Sequence, residues 1–147
     1  MMRTGVSLLL LAFVLLYSCK TQKKAAESIP PELVMDESFR KPVNDKALFA
    51  QTTDMVPMDT AFIVSDTLHI ITKRILGCDA ENFKLIWNGN KTKSLPPQTS
   101  VKLFQQVDAA CKERHKFHLL YNVSPLHLKQ DTTIIKVGGW KNVVTLL

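Results

Sequence analysis

The chain has 147 residues, 46% hydrophobic and 22% charged, with 19 Lys and Arg against 13 Asp and Glu for a formal net charge of +6. That length accommodates one domain with a real core. The basic surplus is mild and no Lys/Arg run is interleaved with aromatic residues, which sets nucleic acid aside as a partner.

Arg3 precedes the apolar run Val6-Ser7-Leu8-Leu9-Leu10-Leu11-Ala12-Phe13-Val14-Leu15-Leu16-Tyr17-Ser18-Cys19. A bilayer span needs ~20 apolar residues, so this shorter block behind a cation reads as a secretory signal. Its end, Leu16-Tyr17-Ser18-Cys19, resembles the lipobox of bacterial lipoproteins. The resemblance implies a diacylglyceryl group on the Cys19 thiol, cleavage before Cys19, and acylation of the new amino group, palmitate being the expected acyl chain. Residues 1–18 would then be removed, leaving 129 residues with 18 basic and 13 acidic side chains. In that family an Asp after the lipidated cysteine favours the inner membrane. Lys20 stands there instead, and no acidic cluster follows. The expected location is therefore the outer membrane, on its periplasmic face rather than the cell surface.

Residues 19–58 read as the lipidated cysteine and an irregular tether. Pro30-Pro31, Pro42 and Pro57 punctuate it, its apolar residues follow no sustained period, and Ala47-Leu48-Phe49-Ala50 allows one helical turn at most. Such a segment lets a lipid-held domain stand off the bilayer, with part of it able to pack on the domain as an irregular arm. It carries six basic and seven acidic residues between Lys20 and Asp59, against twelve and six from Thr60 onward, so the folded part holds the basic surplus.

Residues 59–147 change texture to short β-rich runs. Ala61–Val64 and Thr67–Leu76 flank Ser65-Asp66. Phe83, Leu85 and Trp87 alternate onto one face before Asn88-Gly89-Asn90, which reads as a tight turn. Leu95-Pro96-Pro97-Gln98 must be loop. Ser100–Val107 fits a strand or a helix capped by Ser100, and its neighbours favour strand. Arg114–Val123 puts Phe117, Leu119, Tyr121 and Val123 on one face, and Ser124-Pro125 ends it. Thr132–Val137 and Trp140–Leu147 flank Gly138-Gly139, a hairpin signal. The sum is an all-β fold, an antiparallel β-sandwich of about seven strands with immunoglobulin-like or related Greek-key topology.

The series Cys78, Phe83-Lys-Leu-Ile-Trp-Asn-Gly, Ser94-Leu-Pro-Pro-Gln, Cys111, Phe117-His-Leu-Leu and Leu126 is similar to a module of small uncharacterised bacterial lipoproteins. There a cysteine pair brackets an F-x-L-x-W-x-G strand and an S-x-P-P-Q loop. The likeness covers about half the chain and brings no activity with it. With Cys19 assigned to lipid, Cys78 and Cys111 remain as an even pair in an oxidising compartment, where a disulfide is expected. A free thiol pair and metal ligation are the alternatives.

Candidate chemistry is sparse. There is no serine in a Gly-x-Ser-x-Gly turn and no glycine-rich phosphate loop. Cys111 and His115 are near in sequence, but a disulfide would occupy the sulfur. Asp66, Asp79, Glu81, Asp108, Glu113 and Asp131 offer no convincing acid–base pair. His115 and His118 at i, i+3 share a face on a helix but not on a strand. His69 reaches His118 only if their strands pair. Met55-x-x-Met58 presents soft sulfurs suited to Cu(I), with packing as the plainer role. Asp59-Thr60, Asp66-Thr67 and Asp131-Thr132 resemble bacterial O-glycosylation sites. Trp87, Tyr121 and Trp140 would make a sugar-stacking platform if they shared an exposed surface.

The expectation from sequence is a lipid-anchored envelope module that binds or builds rather than catalyses, without a cofactor, touching a membrane and an envelope protein or glycan. The alternative is a periplasmic lipoprotein that handles a metal or small ligand through His69, His115 and His118.

Overall fold

The computed structural model describes residues 33–35, 38–127 and 132–147. The signal segment, Cys19, Lys20 and Asp131 lie outside the described residues.

The described chain is mostly β, arranged as two five-stranded sheets over a shared core. The first sheet runs β1 (Leu33–Met35), β8 (Arg114–Asn122), β4 (Thr67–Thr72) and β3 (Met58–Val64), and β5 (Ile75–Leu76) also pairs with β8. The second runs β10 (Val143–Leu146), β9 (Thr133–Val137), β7 (Gln98–Gln105), β6 (Phe83–Lys91) and β2 (Val43–Asn44). Alternation places Leu68, Ile70, Phe117, Leu119 and Tyr121 of the first sheet opposite Phe83, Leu85, Val101, Leu103, Ile135 and Val137 of the second. The rings of Phe83 and Phe117 meet across the interface, centroids 4.8 Å apart and tilted by 52°. Each large apolar side chain so buried contributes about 1.5–3 kcal/mol by leaving water.

Two expectations change. Ten strands form among the described residues, against about seven expected, and the sheets are mixed rather than antiparallel: β1–β8, β2–β6 and β7–β9 are parallel. The parallel β7–β9 pair arises because β8, which lies between them in sequence, belongs to the other sheet. The other two parallel pairs come from the segment read as tether. Proline spacing there forbids long elements but permits strands of three and two residues, which add themselves to sheet edges. A six-residue helix, α1 (Lys46–Gln51), follows, with the Asp45 carboxylate accepting from the Leu48 N–H at 2.9 Å as its N-terminal cap.

Arg40 ties this arm to both sheets. Its backbone bonds the β8 strand, accepting from the Asn122 N–H at 2.7 Å and donating to the Leu120 carbonyl at 3.3 Å. Its guanidinium crosses to the other sheet, where Nη1 donates to the Ala80 and Phe83 carbonyls, each at 2.8 Å.

The ambiguous stretch at Ser100 is strand, with Val101 and Leu103 fully buried. The Gly138-Gly139 hairpin joins β9 to β10 in antiparallel pairing. Asn88-Gly89-Asn90 is not the expected turn: β6 continues through it to Lys91, with a register shift between Trp87 and Lys91. Gly89 takes φ +77° there, so its freedom makes a bulge instead of a reversal. The chain reverses only after Lys91, before β7 begins at Gln98.

Candidate functional site

Two outward surfaces, one on each sheet, gather polar side chains.

On the first sheet, antiparallel pairing of β4 with β8 sets His69 against Leu120 and Ile71 against His118, which makes the two histidines diagonal neighbours on the outward face. His69 Nδ1 lies 3.0 Å from His118 Nε2. His118 Nδ1 lies 3.3 Å from the Met35 sulfur, because β1 pairs in register with β8 at Met35 and His118. A thioether accepts but does not donate, so His118 carries its proton on Nδ1. His69 Nδ1–H then donates to His118 Nε2. Phe62, opposite His69 on β3, stacks on its ring at 4.7 Å and 10°. His69 has a pKa below the ordinary 6.5, first because of burial and second because of His118 beside it.

The alternative that groups His69, His115 and His118 is corrected in one member. His115 is one of the alternate residues of β8 that face away from His118, and its Nε2 pairs with the Glu113 carboxylate at 3.0 Å. Among the described residues no three His, Cys, Asp or Glu side chains converge on one point. Met35 is the member that sequence reasoning missed. It sits in a stretch with no strand signal, and only the parallel pairing of β1 brings it beside His118. The Met55 and Met58 pair divides: Met58 is buried in the core, while the Met55 side chain packs beside Gly138 and Gly139.

The platform of Trp87, Tyr121 and Trp140 does not form. Tyr121 is wholly buried, on the same inward face as Phe117 and Leu119. Trp87 is half-buried in line with Phe83 and Leu85, its Nε1–H donating to Thr99 Oγ1 at 2.8 Å. Trp140 is half-buried against the core. The period of two that made these residues recognisable as strand residues also turned the first two inward.

Cys78 and Cys111 are paired as a disulfide, Cα atoms 5.8 Å apart, joining the loop before β6 to the loop before β8. Cys111 is buried at 5% exposure. Its sulfur is therefore unavailable as a nucleophile beside His115.

The outward face of the second sheet holds a polar groove. Two adjoining hollows, of about 160 and 360 Å³, share Asn88, Ser100 and Lys136. One extends past Asn90, Lys91, Thr92 and Gln98, the other past Phe49 and Lys102 to Trp140. Among the described residues neither hollow is lined by a carboxylate. Lys102 is committed to structure: its ammonium donates to the Phe49 and Thr52 carbonyls, each at 2.8 Å, and lies 4.5 Å over the Phe49 ring. Lys91 lies 5.6 Å over the Trp87 ring, and burial holds its pKa below the ordinary lysine value. Lys136 is the exposed cation between the two hollows.

No family model, curated protein or solved structure matches the chain.

Proposed function

We propose that the chain is a lipid-anchored, non-enzymatic binding module of the bacterial envelope, held through Cys19 at the periplasmic face of the outer membrane. Its second sheet would take an acidic, hydroxyl-rich glycan. The observation that carries this is the groove around Asn88, Ser100 and Lys136, which offers amides, a hydroxyl and an exposed ammonium, with no carboxylate among its described lining residues to repel an anion. The lipobox resemblance at Leu16-Tyr17-Ser18-Cys19 supports the anchor. The β-sheets supply a rigid floor for the groove, and the Cys78–Cys111 pairing suits an oxidising compartment.

The test is binding of a soluble acidic polysaccharide, such as polygalacturonate, to the detergent-solubilised full chain, with neutral dextran as control. Lys136→Glu is expected to weaken binding by roughly tenfold or more, and added salt to weaken it further. Equal affinity for both polysaccharides, or no effect of Lys136→Glu, refutes the groove assignment. The anchor is checked separately: Cys19→Ser should move the chain out of the membrane fraction and remove its lipid mass.

A further inference from the structure

We propose that Met35, His69 and His118 form a binding site for one soft monovalent cation, Cu+, on the outward face of the first sheet. The site is independent of the glycan groove, which lies on the other sheet.

The nitrogens of His69 and His118 already face one another at 3.0 Å. With metal–imidazole distances of about 2.0 Å, nitrogens so placed subtend about 97° at a cation between them. Widening the gap by about half an ångström opens that angle to about 120° at the same bond length, which suits a three-coordinate ion. The cation takes the place of the shared proton. His69 frees Nδ1 by moving its proton to Nε2, while His118 keeps its own on Nδ1.

The third ligand is the Met35 thioether. It sits 3.3 Å from the far nitrogen of His118 and is 53% exposed at a sheet edge. An unbranched side chain with three rotatable bonds can swing around the imidazole edge to reach the cation. A thioether with two imidazoles is a soft donor set that selects Cu+, whereas Zn2+ sites are built from imidazole, thiolate and carboxylate. Among the described residues, Asp59 on β3 is held in an ion pair by Lys116. Phe62, stacked on His69, fixes the plane of one ligand before the metal arrives.

The experiment is an anaerobic competition for Cu+ between the chromophoric chelator bicinchoninate and the detergent-solubilised full chain, with free thiols alkylated beforehand. One equivalent of Cu+ should leave the chelator. His69→Gln and His118→Asn should each weaken the site by roughly tenfold or more, Met35→Leu by about tenfold, and His115→Gln not at all. Failure of the native chain to withdraw Cu+ overturns the proposal, as does native-like binding by either of the first two variants. Competition by equimolar Zn2+ or an unaltered Met35→Leu overturns the soft-ligand assignment. Met35 lies on a half-exposed edge strand, so Met35→Leu keeps the test decisive should a histidine variant fail to fold.

Discussion

Replacing Arg40 by methionine removes the guanidinium that fastens the amino-terminal arm to the Ala80 and Phe83 carbonyls, while leaving its apolar stem and its backbone bonds to β8 in place. In the native protein a single guanidinium nitrogen donates to the Ala80 and Phe83 carbonyls, both at 2.8 Å and both partly buried. Hydrogen bonds from a charged donor are each worth about 1.5–3 kcal/mol. The site is only half-buried, so the lower part of that range applies, and the variant should lose roughly 2–4 kcal/mol. For a domain near a hundred residues each kcal/mol corresponds to about 4 °C or more, so Tm should fall by about 10 °C. Urea unfolding followed by tryptophan fluorescence gives the free-energy difference directly, with Lys41→Met as the exposed neighbour that should stay within about 0.5 kcal/mol. A loss at Arg40→Met no larger than that of the control would show that the arm is not fastened through this side chain.

Stability should also respond to the cysteines and to pH. Replacing Cys78 and Cys111 together by serine frees a loop spanning a sequence separation of 33 residues, for which loop-closure entropy gives a loss of about 4 kcal/mol; unchanged urea midpoints for variant and native chain would contradict this. His69 has a lowered pKa in the folded state. The unfolded chain therefore binds the extra proton first as pH falls. The stabilisation is complete above the ordinary value of 6.5 and is lost as pH drops through the lowered folded value. Urea midpoints between pH 7.5 and 5 should fall less for His69→Gln than for the native chain, and parallel declines would assign the titration elsewhere.

Much of the fold is legible in the linear chain because strand alternation is a local property. Phe117, Leu119 and Tyr121 share a face in the sequence pattern and share the core in the structure. The pattern of Ser100–Val107 fitted strand and helix alike and its strand neighbours favoured strand, while the glycines at 138 and 139 marked a hairpin. The sites were less legible. Trp87 and Tyr121 drew notice as aromatic residues, yet their alternation already placed them among inward residues. His115 stayed in the alternative beside His118 and His69, although strand positions three apart differ in parity and face opposite ways.

Local chemistry along the chain determined that this protein is β-rich, where most of its strands run, and that Cys78 and Cys111 are suited to pair. Those outcomes depend on neighbours within a few residues, or on the simple count of thiols. Tertiary structure alone decided that the proline-broken segment before Val56 adds edge strands to both sheets, that β7 and β9 run parallel, and that Met35, His69 and His118 meet. Each of these depends on pairing between strands distant in sequence. Backbone hydrogen bonds are nearly indifferent to side-chain identity, so no residue in the arm announces which strand it will join.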